Sequence, residues 1–212
     1  MSVSASVFNQ IPENELVPLL KTLQAVEKKF LKGETILFED EVTDRLGVIL
    51  SGSALVEYHD AWGNRRLFGY VRQGEVFAEA YACLREEKLM TCVVAAEKTT
   101  VLFLCLTPLL NAEAPSKAAW QLMKNLLTVG AGKSLQLSRR ILHTSPKTIR
   151  ERLMSFFSEC MRKNGSRAFD IPYNRQQLAD FLGVDRSAMC KELSKMQKEQ
   201  LISFNKNHFF MC

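Results

Sequence analysis

Apolar and polar residues follow two different patterns along the chain. In the first half, short apolar runs rich in β-branched and aromatic residues are separated by glycines. Such runs between turn glycines are typical of antiparallel strands, so the pattern predicts a β-sandwich or roll. The predicted strands cover residues 35–38, 47–50, 54–58, 66–71, 92–95 and 101–104.

The pattern becomes helical from residue 118 to residue 142, where no proline occurs and apolar residues return every three or four positions. This spacing places them on one face of a long helix. The stripe includes small residues that allow close helix–helix approach, so we predict a dimer contact. The alternative is a helix packed only within its own chain. The residues predicted at the dimer contact are Met123, Leu126, Gly130, Ser134 and Leu137.

The pattern in the last third of the chain predicts three helices followed by a β-hairpin. Ser145 and Pro146 suit the start of the first helix. Asn174 is placed to cap the second, and Gly183 suits the left-handed residue at its end. Asp185 is placed to cap the third helix, and residues 201–210 read as strand, turn and strand.

Two helices joined by a glycine turn and followed by a hairpin predict a winged helix-turn-helix, whose second helix enters the major groove of DNA. The alternative is an amphipathic helix pair with a solvated basic face. We predict base contacts by Arg186, Ser187, Cys190 and Lys191. We predict phosphate contacts by Arg175, Lys195, Lys198 and Lys206.

The charge distribution supports this interpretation. The formal net charge of +5 is modest. Residues 1–112 carry 11 basic and 15 acidic side chains, residues 113–144 carry 5 and 1, and residues 145–212 carry 12 and 7. A basic second half joined to an acidic first half indicates a polyanionic partner for the C-terminal part.

Several classes of protein are excluded. The longest apolar run is too short to span a membrane, and no secretory signal is visible, so we expect a cytoplasmic chain. The six cysteines are too scattered for a zinc or iron–sulfur motif, and three dispersed histidines do not supply a metal-dependent enzyme site. We expect no metal site and no enzymatic activity.

The order of elements resembles the cyclic-AMP receptor protein/FNR (Crp/Fnr) family of bacterial transcription regulators. The motifs that carry the resemblance lie at residues 175–180, 185–188 and 192–196 in the C-terminal module and at 32–36 and 50–53 in the roll. The resemblance implies an α+β fold. Its parts are an N-terminal antiparallel β-roll of jelly-roll, cyclic-nucleotide-binding-like type (1–112), a long dimerisation helix with a hinge (113–144) and a winged helix-turn-helix (145–212).

The sequence departs from the family's cyclic-nucleotide cassette. Ala78 stands where the family has glycine, and Lys88 stands near the expected arginine. A cyclic phosphate favours a guanidinium that donates two hydrogen bonds, so we expect an effector other than cyclic AMP. A cofactor is not identified by the sequence, and we expect neither an iron–sulfur cluster nor haem. The candidate effector pocket comprises Glu79, Lys88, Thr91, Met123 and Leu127.

We therefore expect a homodimeric, sequence-specific regulator that binds double-stranded DNA and a small effector, and that contacts RNA polymerase if it is an activator. One alternative is a cyclic-nucleotide-responsive regulator with the same fold. The other is a sensory module that acts on a protein partner.

Overall fold

The structure is a computed structural model that describes residues 5–59, 62 and 65–212. The sequence between the strands predicted at 54–58 and 66–71 also predicts a hairpin loop at residues 59–64, and most of this loop lies outside the described residues. None of the described helices has both the length and the apolar content needed to cross a membrane.

The contacts of the chain divide it into two compact units, one ending at Ala131 and the other beginning at Gly132. The division falls inside the long helix. The predicted domain limits, at residues 112 and 145, differ from this division of contacts and remain predictions.

The strands of the first unit form a roll of two sheets. They are β1 (Val26–Phe30), β2 (Thr35–Leu37), β3 (Arg45–Ser51), β4 (Ser53–His59), β5 (Arg65–Arg72), β6 (Val76–Phe77), β7 (Cys92–Ala95) and β8 (Thr99–Cys105). The sheet orders are β1-β8-β3-β6 and β2-β7-β4-β5, and every pairing is antiparallel. The predicted antiparallel roll is confirmed, although the pattern did not predict β1 and β6.

The interior of the roll is closely packed around two aromatic rings. Phe77 and Phe103 meet edge to face with ring centroids 6.3 Å apart. Gly47 lies beside this pair, and a Cβ atom there would approach Phe77 Cζ to 2.1 Å. Glycine is therefore required at residue 47, because only its bare backbone leaves room for the ring.

The helices of this unit are α1 (Glu13–Thr22), α2 (Glu79–Leu84), α3 (Thr107–Leu110) and α4 (Lys117–Thr144), of which α4 continues into the second unit. The start of α4 buries Ala118 and Leu122 in one core with residues of α1. Asn125 Nδ2 also donates to the carbonyls of Val7 and Asn9, at 2.9 and 2.8 Å. The predicted long helix is thus confirmed, and its first half is anchored to the roll.

The second unit is a winged helix-turn-helix. It contains α5 (Ile149–Asn164), β9 (Ala168–Asp170), α6 (Arg175–Leu182), α7 (Arg186–Lys198), β10 (Ile202–Asn205) and β11 (His208–Met211). The strands form a sheet with the order β10-β11-β9. The cap of α5 is Thr148, which forms a capping box with Glu151, rather than the predicted Ser145.

Candidate nucleic-acid interface

The turn between α6 and α7 is built as the sequence predicts. Asn174 and Gln177 form a reciprocal capping box at the start of α6. Gly183 ends that helix with φ +63°, in the left-handed region that glycine tolerates best. Asp185 then caps α7 by accepting the Ala188 N–H at 2.8 Å. Each of these contacts satisfies a backbone group that a helix end leaves without a partner.

The two faces of α7 differ sharply in burial. Met189, Leu193 and Met196 are at most 1% exposed and belong to the core of the second unit. Arg186 and Lys191 are exposed on the other side of the helix. The face predicted to read bases is therefore open to solvent along this unit.

Two of the predicted base contacts are less free than the sequence suggests. The Ser187 hydroxyl donates to Asp185 Oδ1 at 2.6 Å, and this bond contributes most to the lowered pKa of the Asp185 carboxyl. Cys190 is half-buried against the core of the second unit. To contact a base, Ser187 would have to break or share its hydrogen bond with Asp185, and Cys190 would have to leave its packing against the core.

Arg175 is held against the wing. Its Nη2 donates to the Lys206 carbonyl at 2.8 Å, and its guanidinium lies 5.0 Å from the ring centres of both Phe204 and Phe209. Burial lowers the pKa of this guanidinium. Among the described residues, Arg175 Nη1 is buried and has no hydrogen-bond partner. One nitrogen of the guanidinium therefore keeps an unused hydrogen-bonding capacity, which a ligand could reach only if the side chain moved.

The remaining predicted phosphate contacts are exposed lysines on two shallow grooves. Lys195 and Lys198 border the first groove, together with Cys190, Lys191 and Ser194. Lys206 lies at the wing turn with φ +51° and borders the second. The second groove is lined by Asn174, Arg175, Gln176, Arg186, Lys206 and Asn207. Both grooves thus combine cations with polar hydrogen-bonding groups.

Two arginines of α5 that the sequence did not single out hold the helix pair in place. Arg152 Nη1 donates to the carbonyls of Leu182 and Gly183, at 3.0 and 3.1 Å. Arg150 pairs with Glu192 at 2.5 Å and with Glu199 at 2.7 Å. These contacts join α5 to the end of α6 and to α7. Their partners lie 30 to 49 residues away, so no local sequence signal indicates them.

The end of α4 is fixed within the second unit. His143 is 1% exposed, and its ring forms a 2.9 Å hydrogen bond with Ser155 and a shorter one with Glu159. Lys163 and Arg139 also reach the Glu159 carboxylate, at 2.6 and 3.6 Å. The family resemblance predicts the hinge of the dimerisation helix near residues 143–145, and this segment therefore contains a buried, hydrogen-bonded residue.

The predicted dimer residues fall into two groups. Met123 and Leu126 are half-buried and pack on the core of the first unit. The other three residues do not pack on this core. A Cβ atom at Gly130 would meet nothing within 4 Å, and Ser134 and Leu137 are exposed. The exposed apolar side chains of α4 are Trp120, Leu127, Leu135, Leu137, Ile141 and Leu142, with exposed fractions of 54–75%.

The predicted effector residues lie around α2 and on α4. Glu79 begins α2 and is half-buried, Lys88 is exposed, and Thr91 is half-buried just before β7. Of the α4 pair, Met123 packs on the roll core and Leu127 is exposed.

The residue before α2 has an unusual backbone conformation. Ala78 has φ +59°, a value at which a Cβ atom costs about 1–2 kcal/mol. This conformation explains why glycine suits the position in the family's cassette.

Comparison with known proteins gives consistent matches along the chain. The model of the cyclic nucleotide-binding domain matches residues 27–112, and that of the Crp-like helix-turn-helix domain matches residues 151–211. The transcriptional activator protein FnrL of Cereibacter sphaeroides is 20% identical over 195 residues, which cover 87% of this chain and 76% of FnrL.

Solved structures with the same fold agree with these matches. FixK2 from Bradyrhizobium japonicum is 21% identical with a TM-score of 0.51, over 88% of this chain and 92% of FixK2. The catabolite activator protein of Thermus thermophilus is 17% identical with a TM-score of 0.52, over 98% of this chain and 94% of that protein.

Proposed function

Because the chain belongs to the Crp/Fnr family of transcription regulators, we propose that it acts as a homodimer that reads a specific DNA sequence with α7. A small effector other than cyclic AMP, bound in the roll, would control the dimer. The observation that carries this proposal is the open cationic face of α7, with Arg186 and Lys191 exposed opposite a fully buried apolar face.

The chemistry of this face suits the major groove. Arginine and lysine donate hydrogen bonds to guanine O6 and N7, whereas contacts with phosphates supply affinity without sequence information. Lys195, Lys198 and Lys206 would bind phosphates along the two grooves. Arg175 Nη1 is buried, so it would donate to a phosphate oxygen only after the side chain shifts toward the second groove.

The proposed dimer rests on the exposed apolar side chains of α4. Trp120 and Leu127 are seven residues apart, as are Leu135 and Leu142, which is the repeat of a two-helix seam. A set of large exposed apolar residues of this kind marks an interaction surface. A second copy of α4 would cover it.

The residues at the cyclic-nucleotide cassette favour an effector other than cyclic AMP. Lys88 supplies a point charge where a cyclic phosphate favours a bidentate arginine, and Ala78 replaces the cassette glycine. Effector binding would shift the balance between dimers that do and do not bind DNA. Contact with RNA polymerase is expected only if the regulator is an activator.

The decisive experiment compares DNA sites selected from a random pool by the wild-type protein and by the double variant Arg186→Ala/Lys191→Ala. We expect the wild type to recover a near-palindromic site. The variant should lose this preference and keep weak, salt-sensitive binding, because phosphate contacts remain. The selection is repeated with a metabolite extract to reveal any effector requirement.

The matched control is Arg162→Ala/Arg167→Ala, which removes the same charge from exposed residues of the same unit outside α7. This control should keep the sequence preference. Full preference in the Arg186/Lys191 variant would contradict the assignment of the reading face. A wild-type protein that retards no DNA would favour a module acting on a protein partner.

A second experiment tests the dimer contact. Leu127, 75% exposed on α4, should lie in the seam, and Leu127→Lys should place a charge there. We expect the dimer dissociation constant to rise at least about tenfold, which corresponds to about 1.4 kcal/mol, as measured by analytical ultracentrifugation. Val17→Lys, on the exposed side of α1, is the control. An unchanged dissociation constant for Leu127→Lys would place the contact elsewhere.

A further inference from the structure

Three potential metal ligands converge on one edge of the roll, although they are scattered in the sequence. Glu57 and His59 lie two residues apart on β4, so their side chains point to the same face of the sheet. Cys92 on β7 is the direct cross-strand partner of Glu57. One donor atom from each residue lies within 4.8 Å of the other two.

The face that carries this cluster is distinct from the interior of the roll. Val56 and Val93 pack in the core between the two sheets, so the alternate residues Glu57 and Cys92 point away from it. Even so, Glu57 is only 2% exposed and Cys92 only 5%. The His59 side chain is 47% exposed and leaves an entry path from solvent.

The distances already approach those of a coordination site. Cys92 Sγ lies 3.7 Å from His59 Nδ1, and His59 Nε2 lies 4.0 Å from Glu57 Oε2. A tetrahedral zinc ion with bonds of about 2.3 Å to sulfur and 2.0 Å to nitrogen separates those two ligands by roughly 3.5 Å. Cys92 faces Nδ1 of His59 and Glu57 faces Nε2, and only one of these nitrogens can bind a given ion. A rotation of the half-exposed His59 ring, with smaller adjustments of Cys92 and Glu57, would close the cluster around one ion.

The geometry points to a zinc site formed by Glu57, His59 and Cys92. A thiolate, an imidazole and a carboxylate form a mixed set of donors that suits Zn²⁺, whereas Mg²⁺ and Ca²⁺ prefer oxygen ligands alone. Three protein ligands leave the fourth tetrahedral position to water. This site is independent of the proposed DNA binding.

Binding of zinc has a defined proton balance. Without metal, the Cys92 thiol donates to the Glu57 carbonyl at 3.4 Å. The thiolate is the form that binds metal, so coordination releases the thiol proton to water and breaks this hydrogen bond. Zinc affinity should consequently increase as the pH rises.

The test titrates the full, tag-free, reduced chain with Zn²⁺ against a chromophoric chelator. We expect one zinc ion per chain for the wild type and at least about tenfold weaker binding for Cys92→Ser, Glu57→Gln and His59→Gln. Co²⁺ in place of zinc should give a sulfur-to-cobalt charge-transfer band in the wild type that Cys92→Ser lacks. His59→Gln changes a half-exposed residue, so it tests the site even if a buried variant fails to fold.

The controls are Cys83→Ser and His208→Gln, which remove an exposed thiol and an exposed histidine outside the cluster. Both should bind zinc as the wild type does. At the same zinc concentration, the melting temperature of the wild type and the controls should rise more than that of His59→Gln. The proposal is overturned if the wild type binds no stoichiometric zinc, or if His59→Gln binds it equally tightly.

Discussion

Arginines of the second unit have structural roles that their charge does not reveal. Arg152 accounts for two carbonyls at the turn between α6 and α7, and Arg175 joins α6 to the wing. A guanidinium is suited to both tasks because it presents several donors in one plane and stacks on aromatic rings. The position of α7 thus depends on individual side chains outside it.

At the residue scale, the sequence predicts a side-chain contact when the two interacting residues are close in the chain. Asn174 and Gln177 are three residues apart, so their capping box was predictable as a pair. The roles of Arg152 and Arg175 were not, because each depends on a partner about 30 residues away. The sequence predicted Arg175 only as a phosphate contact and missed its aromatic neighbours.

Glu159 supports a prediction about pH. The Lys163 ammonium and the His143 ring hold the pKa of this carboxyl below its ordinary value of 4.5. The unfolded chain therefore takes up the proton first as the pH falls, and the stabilisation is present above this value and lost below it. We expect Glu159→Gln to lower the free energy of unfolding by about 1–3 kcal/mol near pH 7, and by progressively less as the pH falls below 4.5.

Denaturant unfolding at several pH values measures this difference. Glu113→Gln, at an exposed residue, is the control for the loss of one acidic group. A difference between wild type and Glu159→Gln that stayed constant over the whole pH range would show that the carboxylate charge is not responsible.

At the scale of elements, a long periodic pattern of apolar residues predicts its helix well, whereas very short helices and strands leave no such pattern. The stripe of α4 predicted residues 118–142, and the helix runs from Lys117 to Thr144. β6 contains only two residues and α2 only six, which is too short for a periodic pattern. Ala78 adds to the difficulty, because its positive φ at the start of α2 is a conformation that an alanine does not indicate.

The contact between β3 and β6 gives an element-scale prediction. A methyl group at residue 47 would collide with the Phe77 ring, so Gly47→Ala should destabilise the roll by about 1–3 kcal/mol. Adding Phe77→Leu should recover part of this loss, since the smaller side chain vacates the space. Thermal unfolding of the two single variants and the double variant measures the coupling.

Gly69→Ala is the control, because a Cβ atom there would meet nothing within 4 Å. It should change stability much less than Gly47→Ala. If the Gly47 and Phe77 effects were simply additive, the steric account of this glycine would be wrong.

At the scale of the whole molecule, charge and element order were the informative features of the sequence. The basic excess of residues 113–212 indicated the DNA-binding module before any fold was known. The cluster of Glu57, His59 and Cys92 was invisible, because the spacing rules for metal motifs consider neighbours in the chain. Only the pairing of β4 with β7 brings these residues together.

The proposed dimer predicts how the DNA site is spaced. Two copies of α7 should enter successive major grooves, so the half-sites should lie about 34–36 Å apart. Inserting about five base pairs between them turns the half-sites to opposite sides of the duplex. We expect binding of the altered site to fall to the non-specific level, as measured by fluorescence anisotropy.

The matched DNA for this experiment has the wild-type spacing with a changed central sequence of the same length. It should bind much more tightly than the lengthened site. Equal affinity for both spacings would mean that the two recognition helices bind independently.

The pairing of β4 with β7 also bears on how the chain finds its fold. Glu57 faces Cys92 in one strand register only, and a slip of one residue would send one of them to the opposite side of the sheet. The two residues are 35 positions apart, so an ion held between them closes a loop that is open in the unfolded chain. Zinc present during refolding would then stabilise only chains in which β4 and β7 pair in the native register. The time course of zinc uptake would therefore report when these two strands pair.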